Sequence, residues 1–311
     1  MTENNENPLI GKLKKPTPIK KLDPYNKNWF IQCRVTWKSK IRHWGEDNQE
    51  KLFNATLTDF EGSEIKTTFF RDSVDQFFNF LEVGKIYDFS NGQVQFANQA
   101  YLSHDCPFEI TFNANALISV SKKQHTIIKD LYIKPIEIAK IIKEVPKFAD
   151  VCSIVIQQGK LQTFTSKAGN NVTKYEFYLG DDSNHIIKCT GFGDKAIEIM
   201  SLFDKNKSTT EPIVCAIKGA KTNDYYGCSL TLQQSTQIYI NPDIEKAKQL
   251  LAWTKTDNNL EQLKSKISTI NSVPIGKRKT CEYINELQDI STENVEYATI
   301  KGTISNINKK I

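Results

Sequence analysis

The chain has 311 residues, of which 39% are hydrophobic and 25% charged, and its formal net charge is +5. This length and composition are typical of a soluble protein of two or three domains, and the mildly basic charge is compatible with a polyanionic partner. No apolar run is long enough to span a membrane. The seven cysteines form no C-x-x-C pair, which argues against a zinc site, and their odd number, with several inside apolar runs, argues for reduced thiols in an intracellular compartment.

Taken in chain order, the predicted elements begin with an arm and a first domain. Residues 1–20 are polar and lysine-rich, and they are predicted to be a basic disordered arm. The first domain, residues 21–118, is predicted to open with a strand at 29–35 and a basic turn and strand reaching Arg42. A strand, turn, strand and helix follow, and then strands at 86–96 and 101–112. The linker, residues 119–130, contains Ser, Lys, Gln and His and is predicted to be a flexible tether.

The second domain, residues 131–240, is predicted to contain strands near 151–157, 175–179, 186–192, 213–220 and 230–240. Asn241 and Pro242 are predicted to be the N-cap and the first residue of a short helix within residues 241–255. Residues 256–278 are polar and are predicted to be a second linker.

Part of the first domain recurs in the second at a fixed offset of 122 residues. The recurring strand residues are identical, namely Leu57, Asp59, Ile65, Lys66, Thr68 and Phe70, which return as Leu179, Asp181, Ile187, Lys188, Thr190 and Phe192. The helix that follows keeps its apolar spacing i, i+3, i+4, i+7, at Val74, Phe77, Phe78 and Leu81 and again at Ala196, Ile199, Met200 and Phe203. The recurrence predicts two copies of one small domain.

The repeated strand is predicted to expose an aromatic ring beside a lysine. Side chains alternate along a strand, so Lys66, Thr68 and Phe70 share one face. Lys188, Thr190 and Phe192 share the corresponding face in the second copy. An exposed ring next to a cation on a sheet is the composition of a base-stacking platform. The alternative is that each phenylalanine packs under a loop or against the neighbouring domain. The recurrence favours the binding interpretation.

The strand count predicts the fold class. About five strands with one helix after the third describe an OB-fold, a small Greek-key barrel that binds oligonucleotides across one face. The sequence therefore predicts a mainly β protein with two tandem OB-fold barrels. An SH3-like barrel is the alternative, and the intervening helix weighs against it.

Several motifs resemble the large subunit of replication protein A. The first domain resembles that subunit's first high-affinity DNA-binding OB domain at Pro24-Tyr25, Trp29, Arg34-Val35-Thr36, Lys38-Ser39, Ile41-Arg42, Trp44, Lys51-Leu52-Phe53, Val74-Asp75 and Phe77-Phe78. The second domain resembles the next such domain at Ala216-Ile217-Lys218-Gly219-Ala220-Lys221, Asp224-Tyr225, Gly227, Ser229-Leu230 and Asn241-Pro242-Asp243-Ile244. The resemblance covers roughly residues 18–255, with the motifs in the family's order.

The resemblance implies a nuclear single-stranded DNA binder that supports DNA replication, repair and recombination. By position, the implied stacking residues are Phe70, Tyr101, Phe192 and Tyr225. The implied cationic contacts are Arg42, Lys66, Lys167, Lys174 and Lys221, and further contact positions fall at Trp44 and Glu109. Phe192 stands where the family usually has tryptophan, Tyr225 where it usually has phenylalanine, and Gln95 where it prefers lysine.

The resemblance also carries expectations for the rest of the chain. Residues 279–311 resemble the opening of a third OB domain, so the chain is expected to be a fragment, a truncated product or a divergent paralogue. The zinc ribbon of the family's third OB domain is absent, and no cofactor is expected. The implied partners, beside single-stranded DNA, are the smaller replication protein A subunits or telomerase components, with no membrane.

Three interpretations of function remain open from the sequence. The first is general single-strand binding, and the second is a telomere-specific paralogue. The third is an OB-fold scaffold for protein interactions, against which the paired aromatics weigh. An enzyme is not predicted, because the four histidines lie in no metal or triad motif and no phosphate-binding glycine loop occurs.

Overall fold

A computed structural model describes residues 15–45, 50–98, 106–121, 128–165, 169–206, 211–224, 227–256 and 259–267. The first sheet follows a short 3-10 helix at Ile19–Lys21. Its elements are β1 (Phe30–Lys38), β2 (Arg42–Trp44), β3 (Glu50–Thr58), β4 (Glu64–Phe70), helix α1 (Asp72–Phe77), β5 (Ile86–Ser90), β6 (Gln93–Phe96), β7 (Phe108–Phe112) and β8 (Leu117–Val120).

The first sheet curls because two strands consecutive in the chain, β5 and β6, lie toward opposite sides of it. The hydrogen-bonded order is β6-β7-β4-β3-β1-β5-β8, with β2 paired to β3. Only Asn91 and Gly92 separate β5 from β6. A Cβ at Gly92 would lie 2.5 Å from the Phe112 ring, so this position needs a residue without a side chain. The close approach lets the chain cross the core at this point and carry β6 to the opposite side of the sheet.

The second sheet is a closed barrel. Its elements are helix α2 (Ile138–Glu144), β9 (Phe148–Gln158), β10 (Gln162–Thr165), β11 (Asn171–Gly180), β12 (Ile186–Phe192), helix α3 (Asp194–Asp204), β13 (Val214–Asn223), β14 (Ser229–Leu232) and β15 (Gln237–Ile240). The strands β9, β11, β12, β14 and β13 are hydrogen-bonded in this order, and β13 pairs with β9 to close the barrel. In addition, β10 pairs with β11 and β15 pairs with β13. Helices α4 (Glu245–Thr254) and α5 (Asn259–Ser265) follow.

The architecture confirms the predicted fold class. Both sheets are mainly antiparallel, with one parallel pair each, β4 with β7 and β12 with β14. Each barrel carries its helix, α1 or α3, after the third strand of the closed path, as an OB-fold does. The predicted start of a third OB domain, residues 279–311, lies outside the described residues. Among the described helices, none has the length and apolar character needed to cross a membrane.

The core confirms the face assignment of the repeated strand. Ile65, Thr67 and Phe69 are fully buried on β4, and Phe69 stacks on Phe53 with ring centroids 4.4 Å apart. In the second barrel, Ile187 and Cys189 are fully buried, and Gly191 faces the core helix α3. The alternate positions of both strands therefore point away from the core.

A repeated aspartate fastens each barrel to the segment that precedes it. Asp59 accepts hydrogen bonds from three backbone N–H groups, those of Ile19 at 2.7 Å, Glu61 at 2.9 Å and Ser63 at 2.9 Å. Burial raises the pKa of the Asp59 carboxyl, and the three donors act in the opposite direction. Asp181 repeats the arrangement and accepts from the N–H of Ile138, the first residue of α2, at 2.8 Å.

The predicted helix start at Asn241 is wrong. Asn241 has a φ of 49°, and its Oδ1 accepts a hydrogen bond from the Val214 N–H at 2.9 Å, so its side chain closes the end of β13. Helix α4 begins at Glu245 instead, with Ile244 as its N-cap. Helix α5 lies in the segment predicted to be a linker, where Leu263 is fully buried against the second barrel.

The two barrels contact each other through polar groups. The Glu64 carboxylate at the start of β4 lies 3.1 Å from Lys218 Nζ on β13, with side chains 11% and 13% exposed. Gln237 Nε2 donates to the same carboxylate at 3.0 Å. Tyr132 donates its hydroxyl to the Phe60 carbonyl at 2.8 Å. Five residues, from three strands and two connecting segments, thus make polar contacts between the barrels.

The described ends of the predicted tether are attached to the first barrel. The Ser121 N–H donates to the Ile86 carbonyl at 3.1 Å. Arg34 donates to the Ile128 carbonyl at 2.8 Å and pairs with Asp130 at 2.9 Å. Only residues 122–127, which lie outside the described residues, separate these two attached ends.

Candidate functional site

The outward face of β4 presents the aromatic ring and the lysine that the sequence places together. Cross-strand register sets Phe70 opposite Leu52 on β3 and Lys66 opposite Glu109 on β7. Trp44, 39% exposed at the end of β2, meets Phe70 edge-on with ring centroids 6.0 Å apart. The two rings line an open cleft of about 640 Å³.

The charges on this face are partly paired. Lys66 Nζ lies 3.6 Å from Glu109, and Gln95 Nε2 donates to the same carboxylate at 2.8 Å. Gln95, Glu109 and Lys66 thus form one row across β6, β7 and β4. Glu109 is 20% exposed, so it is an ordered part of the face and orients the lysine beside it. Arg42 is exposed on β2, opposite Leu52, in line with Phe70.

The second barrel repeats the face with different polar partners. Phe192 is 40% exposed at the end of β12, and Lys174 stands directly opposite it on β11. Glu176 lies 3.3 Å from Lys174 and 3.6 Å from Lys188, so one carboxylate orders two cations. Lys221 is exposed on β13 and pairs with Thr231 on β14, which in turn pairs with Thr190 on β12. The three residues therefore form one row across these strands.

The structure places all eight of the predicted contact residues that it describes on the two outward faces. Arg42, Trp44, Lys66, Phe70 and Glu109 lie on one face of the first barrel. Lys174, Phe192 and Lys221 lie on the corresponding face of the second. Tyr101, Lys167 and Tyr225 lie outside the described residues, and their contact roles stay predictions.

Arg71 is a residue of this site that the sequence interpretation missed. It follows Phe70, lines the same cleft as Trp44, and donates from Nε to Glu50 at 2.7 Å, which lowers the pKa of the Glu50 carboxyl. Its side chain is 72% exposed and its φ is 53°. The repeat was the sequence signal for this position, because the residue 122 positions after Arg71 is Gly193, whose φ is 58°. The backbone turns sharply at this position in both copies of the repeat, and the next helix begins directly after it.

A family model and two relatives match the chain. The model described as the replication protein A OB domain matches residues 138–241. The chain is 32% identical to the replication protein A 70 kDa DNA-binding subunit of Xenopus laevis over 253 residues, which is 80% of this chain and 40% of that protein. It is 29% identical to replication factor A protein 1 of Schizosaccharomyces pombe, over 94% of this chain and 48% of that protein. The chain thus spans less than half the length of these relatives.

A solved structure shares the architecture. It is a replication protein A heterotrimer bound to ssDNA, with a TM-score of 0.59 and 34% sequence identity to this chain. The match covers 78% of this chain and 55% of that one, so it includes both barrels.

Proposed function

This chain belongs to the replication protein A 70 kDa DNA-binding subunit family, and from that membership we propose that it binds single-stranded DNA across its two barrels. The observation that carries the proposal is the outward aromatic beside lysine on the same strand of both barrels. Phe70 stands with Lys66, and Phe192 stands with Lys188. Rings stack on any unpaired base, and lysines neutralise phosphates without reading sequence.

The paired cations refine this mechanism. Lys66, Lys174 and Lys188 each lie within 3.6 Å of a glutamate on the same face. A phosphate that binds such a lysine competes with the carboxylate that already pairs with it. Each of these lysines therefore contributes less to the affinity for DNA than an unpaired cation would. Arg42 and Lys221 are exposed at the edges of the two faces and complete the proposed backbone path. Tyr101 and Tyr225 are proposed as the second stacking residue of each barrel.

The wider role follows the family. We propose that the chain acts without catalysis and without a cofactor, in the nucleus, in DNA replication, repair and recombination. The smaller replication protein A subunits are its proposed partners in a full-length context. The matched relatives carry names of replication proteins, so they do not favour the telomere-specific alternative or telomerase components as partners. An OB-fold scaffold for proteins is the competing class.

Strand selectivity tests this proposal. We expect tight binding to single-stranded DNA, weaker binding to single-stranded RNA and little binding to duplex DNA, because exposed rings stack only on unpaired bases. Fluorescence anisotropy with labelled strands of equal length and matched sequence measures all three at one salt concentration. Equal affinity for duplex and single strand would contradict base stacking. No binding to any nucleic acid would favour the protein scaffold.

Removing one stacking ring is expected to weaken binding without unfolding the barrel. Phe70→Ala and Phe192→Ala should each weaken single-strand binding by about 1–3 kcal/mol, the usual effect of losing one base-stacking aromatic. Tyr25→Ala is the matched control, because that aromatic is 86% exposed and lies outside both sheets. Thermal unfolding should be close to that of the parent. A large loss of stability with unchanged binding by the folded fraction would make Phe192 a core residue.

A further inference from the structure

The hairpin β10–β11 carries an exposed aromatic that the fixed repeat offset does not find. Phe164 on β10 is 42% exposed, and its cross-strand partner on β11 is Val172. All four residues of β10 are exposed, and β10 pairs with β11 at the edge of the described sheet. Phe164 is therefore an apolar ring on a projecting strand, away from the buried cluster of the barrel.

Strand register places Phe164 on the same face as Phe192. Gln162 pairs with Lys174, and Lys174 pairs with Phe192, so these three residues form one row across β10, β11 and β12. Residues two apart on a strand share a face. Phe164 therefore lies beside this row, one step further along the hairpin.

The same row exists in the first barrel, where an aromatic occupies the matching place. Arg42 pairs with Leu52, and Leu52 pairs with Phe70, which gives a row across β2, β3 and β4. Trp44 is two residues beyond Arg42, as Phe164 is two residues beyond Gln162. Trp44 and Phe164 are thus structurally equivalent.

Loop length explains why the sequence repeat hides this equivalence. Phe70 follows Trp44 by 26 residues (70 − 44), whereas Phe192 follows Phe164 by 28 (192 − 164). The hairpin of the second barrel is two residues longer, so the fixed offset of 122 aligns Trp44 with Ser166. Only pairing across strands brings the two aromatics into register.

We propose that Phe164 is a base-stacking residue of the second barrel, which takes an unpaired nucleobase next to the one on Phe192. This inference rests on the proposed function. The intervening Lys174 lies on the strand between the two rings, where the phosphate joining neighbouring bases would pass. The ring is exposed and its partner on β11 is a single valine, so its contribution is to the ligand and not to the core.

The test measures single-strand affinity of the full chain with Phe164→Ala. We expect binding to a labelled oligothymidine to weaken about fivefold or more, from the usual energy of one stacked base. Phe164→Trp should retain affinity, whereas Phe164→Leu, apolar without a π face, should lose it. Leu161→Ala is the matched control, because Leu161 is 38% exposed on the same hairpin but precedes β10.

The outcomes separate this inference from the proposed function. If Phe192→Ala weakens binding while Phe164→Ala binds like the parent, the inference is wrong and the proposed function stands. Full affinity in Phe164→Leu would show that the position needs only apolar bulk, which also overturns stacking. If Phe70→Ala, Phe192→Ala and Phe164→Ala all bind like the parent, the proposed function fails with it.

Discussion

Separating the two barrels is expected to lower the affinity for a long single strand by roughly 100-fold or more. When both barrels bind one strand, the second binding event is intramolecular and occurs at a high effective concentration. The gain should appear only when the oligonucleotide reaches both faces, because each OB fold occupies about 4–16 nucleotides. A protease site inserted within residues 122–125 allows the full chain to be cleaved after folding. Anisotropy with short and long strands then measures the gain before and after cleavage.

The contact between the barrels decides how this experiment must be designed. Glu64 and Lys218 form an ion pair that is nearly buried, and Gln237 donates to the same carboxylate. This contact would hold the cleaved halves together. Glu64→Lys places two cations against each other, and breaking a buried pair in this way costs about 3–5 kcal/mol. The cleaved Glu64→Lys protein should therefore bind a long strand more weakly than the cleaved parent, although Tyr132 and Arg34 still contact the other half.

Charge reversal supplies the control for this experiment. Glu64→Lys combined with Lys218→Glu restores an ion pair with opposite polarity, and the cleaved double variant should recover part of the lost affinity. Glu61→Lys, on the exposed turn before β4, should behave like the parent. If cleaved Glu64→Lys protein at nanomolar concentration binds a long strand as tightly as the intact parent, either one barrel does all the binding or the halves stay held together, and the tandem mechanism is wrong.

Asp59→Ala is expected to destabilise the first barrel by about 3–5 kcal/mol. The Asp59 carboxylate accepts three backbone N–H groups, and truncation leaves these donors without their partner. The hydrogen bond from Ile19 is buried and those from Glu61 and Ser63 are partly buried, and a buried donor left unsatisfied costs about 1–3 kcal/mol. The loss should also free the Ile19 segment, since the N–H of Ile19 donates to this carboxylate. Urea unfolding followed by tryptophan fluorescence reports mainly on this barrel, because Trp29, Trp37 and Trp44 belong to it and only Trp253 lies on α4.

Matched variants make the origin of this loss testable. Glu61→Ala removes an exposed side chain from the same turn and keeps the N–H that Asp59 accepts, so its stability should be close to the parent. Asp181→Ala should destabilise the second barrel similarly, because that carboxylate accepts from Ile138 and Ser183. An Asp59→Ala protein that unfolds at the same urea concentration as the parent would mean that water replaces the carboxylate without cost.

Local periodicity was enough to predict the barrels and the exposed face. Ile65 and Phe69 alternate with Lys66 and Phe70, and burial of one set on β4 leaves the other outward. The pattern is strong because a shift by one residue would expose the whole apolar set. Helix α4 shows the opposite case. Asn241 and Pro242 have the residue types of a helix start, but the Asn241 side chain bonds the Val214 N–H instead. A distant strand end competed for that side chain, which local propensity does not report.

The sequence by itself determined the repeat, the OB architecture and the aromatic beside a lysine in each barrel, because these follow from recurrence along the chain, from the number and order of the elements, and from the alternation within one strand. Only the tertiary structure decided which groups meet across strands and between barrels. The pairing of Glu109 with Lys66, the row that joins Phe164 to Phe192, and the contact of Glu64 with Lys218 each depend on register or docking. Such contacts join residues far apart in the chain, and their geometry is set by the packing of the whole fold rather than by the spacing of neighbours.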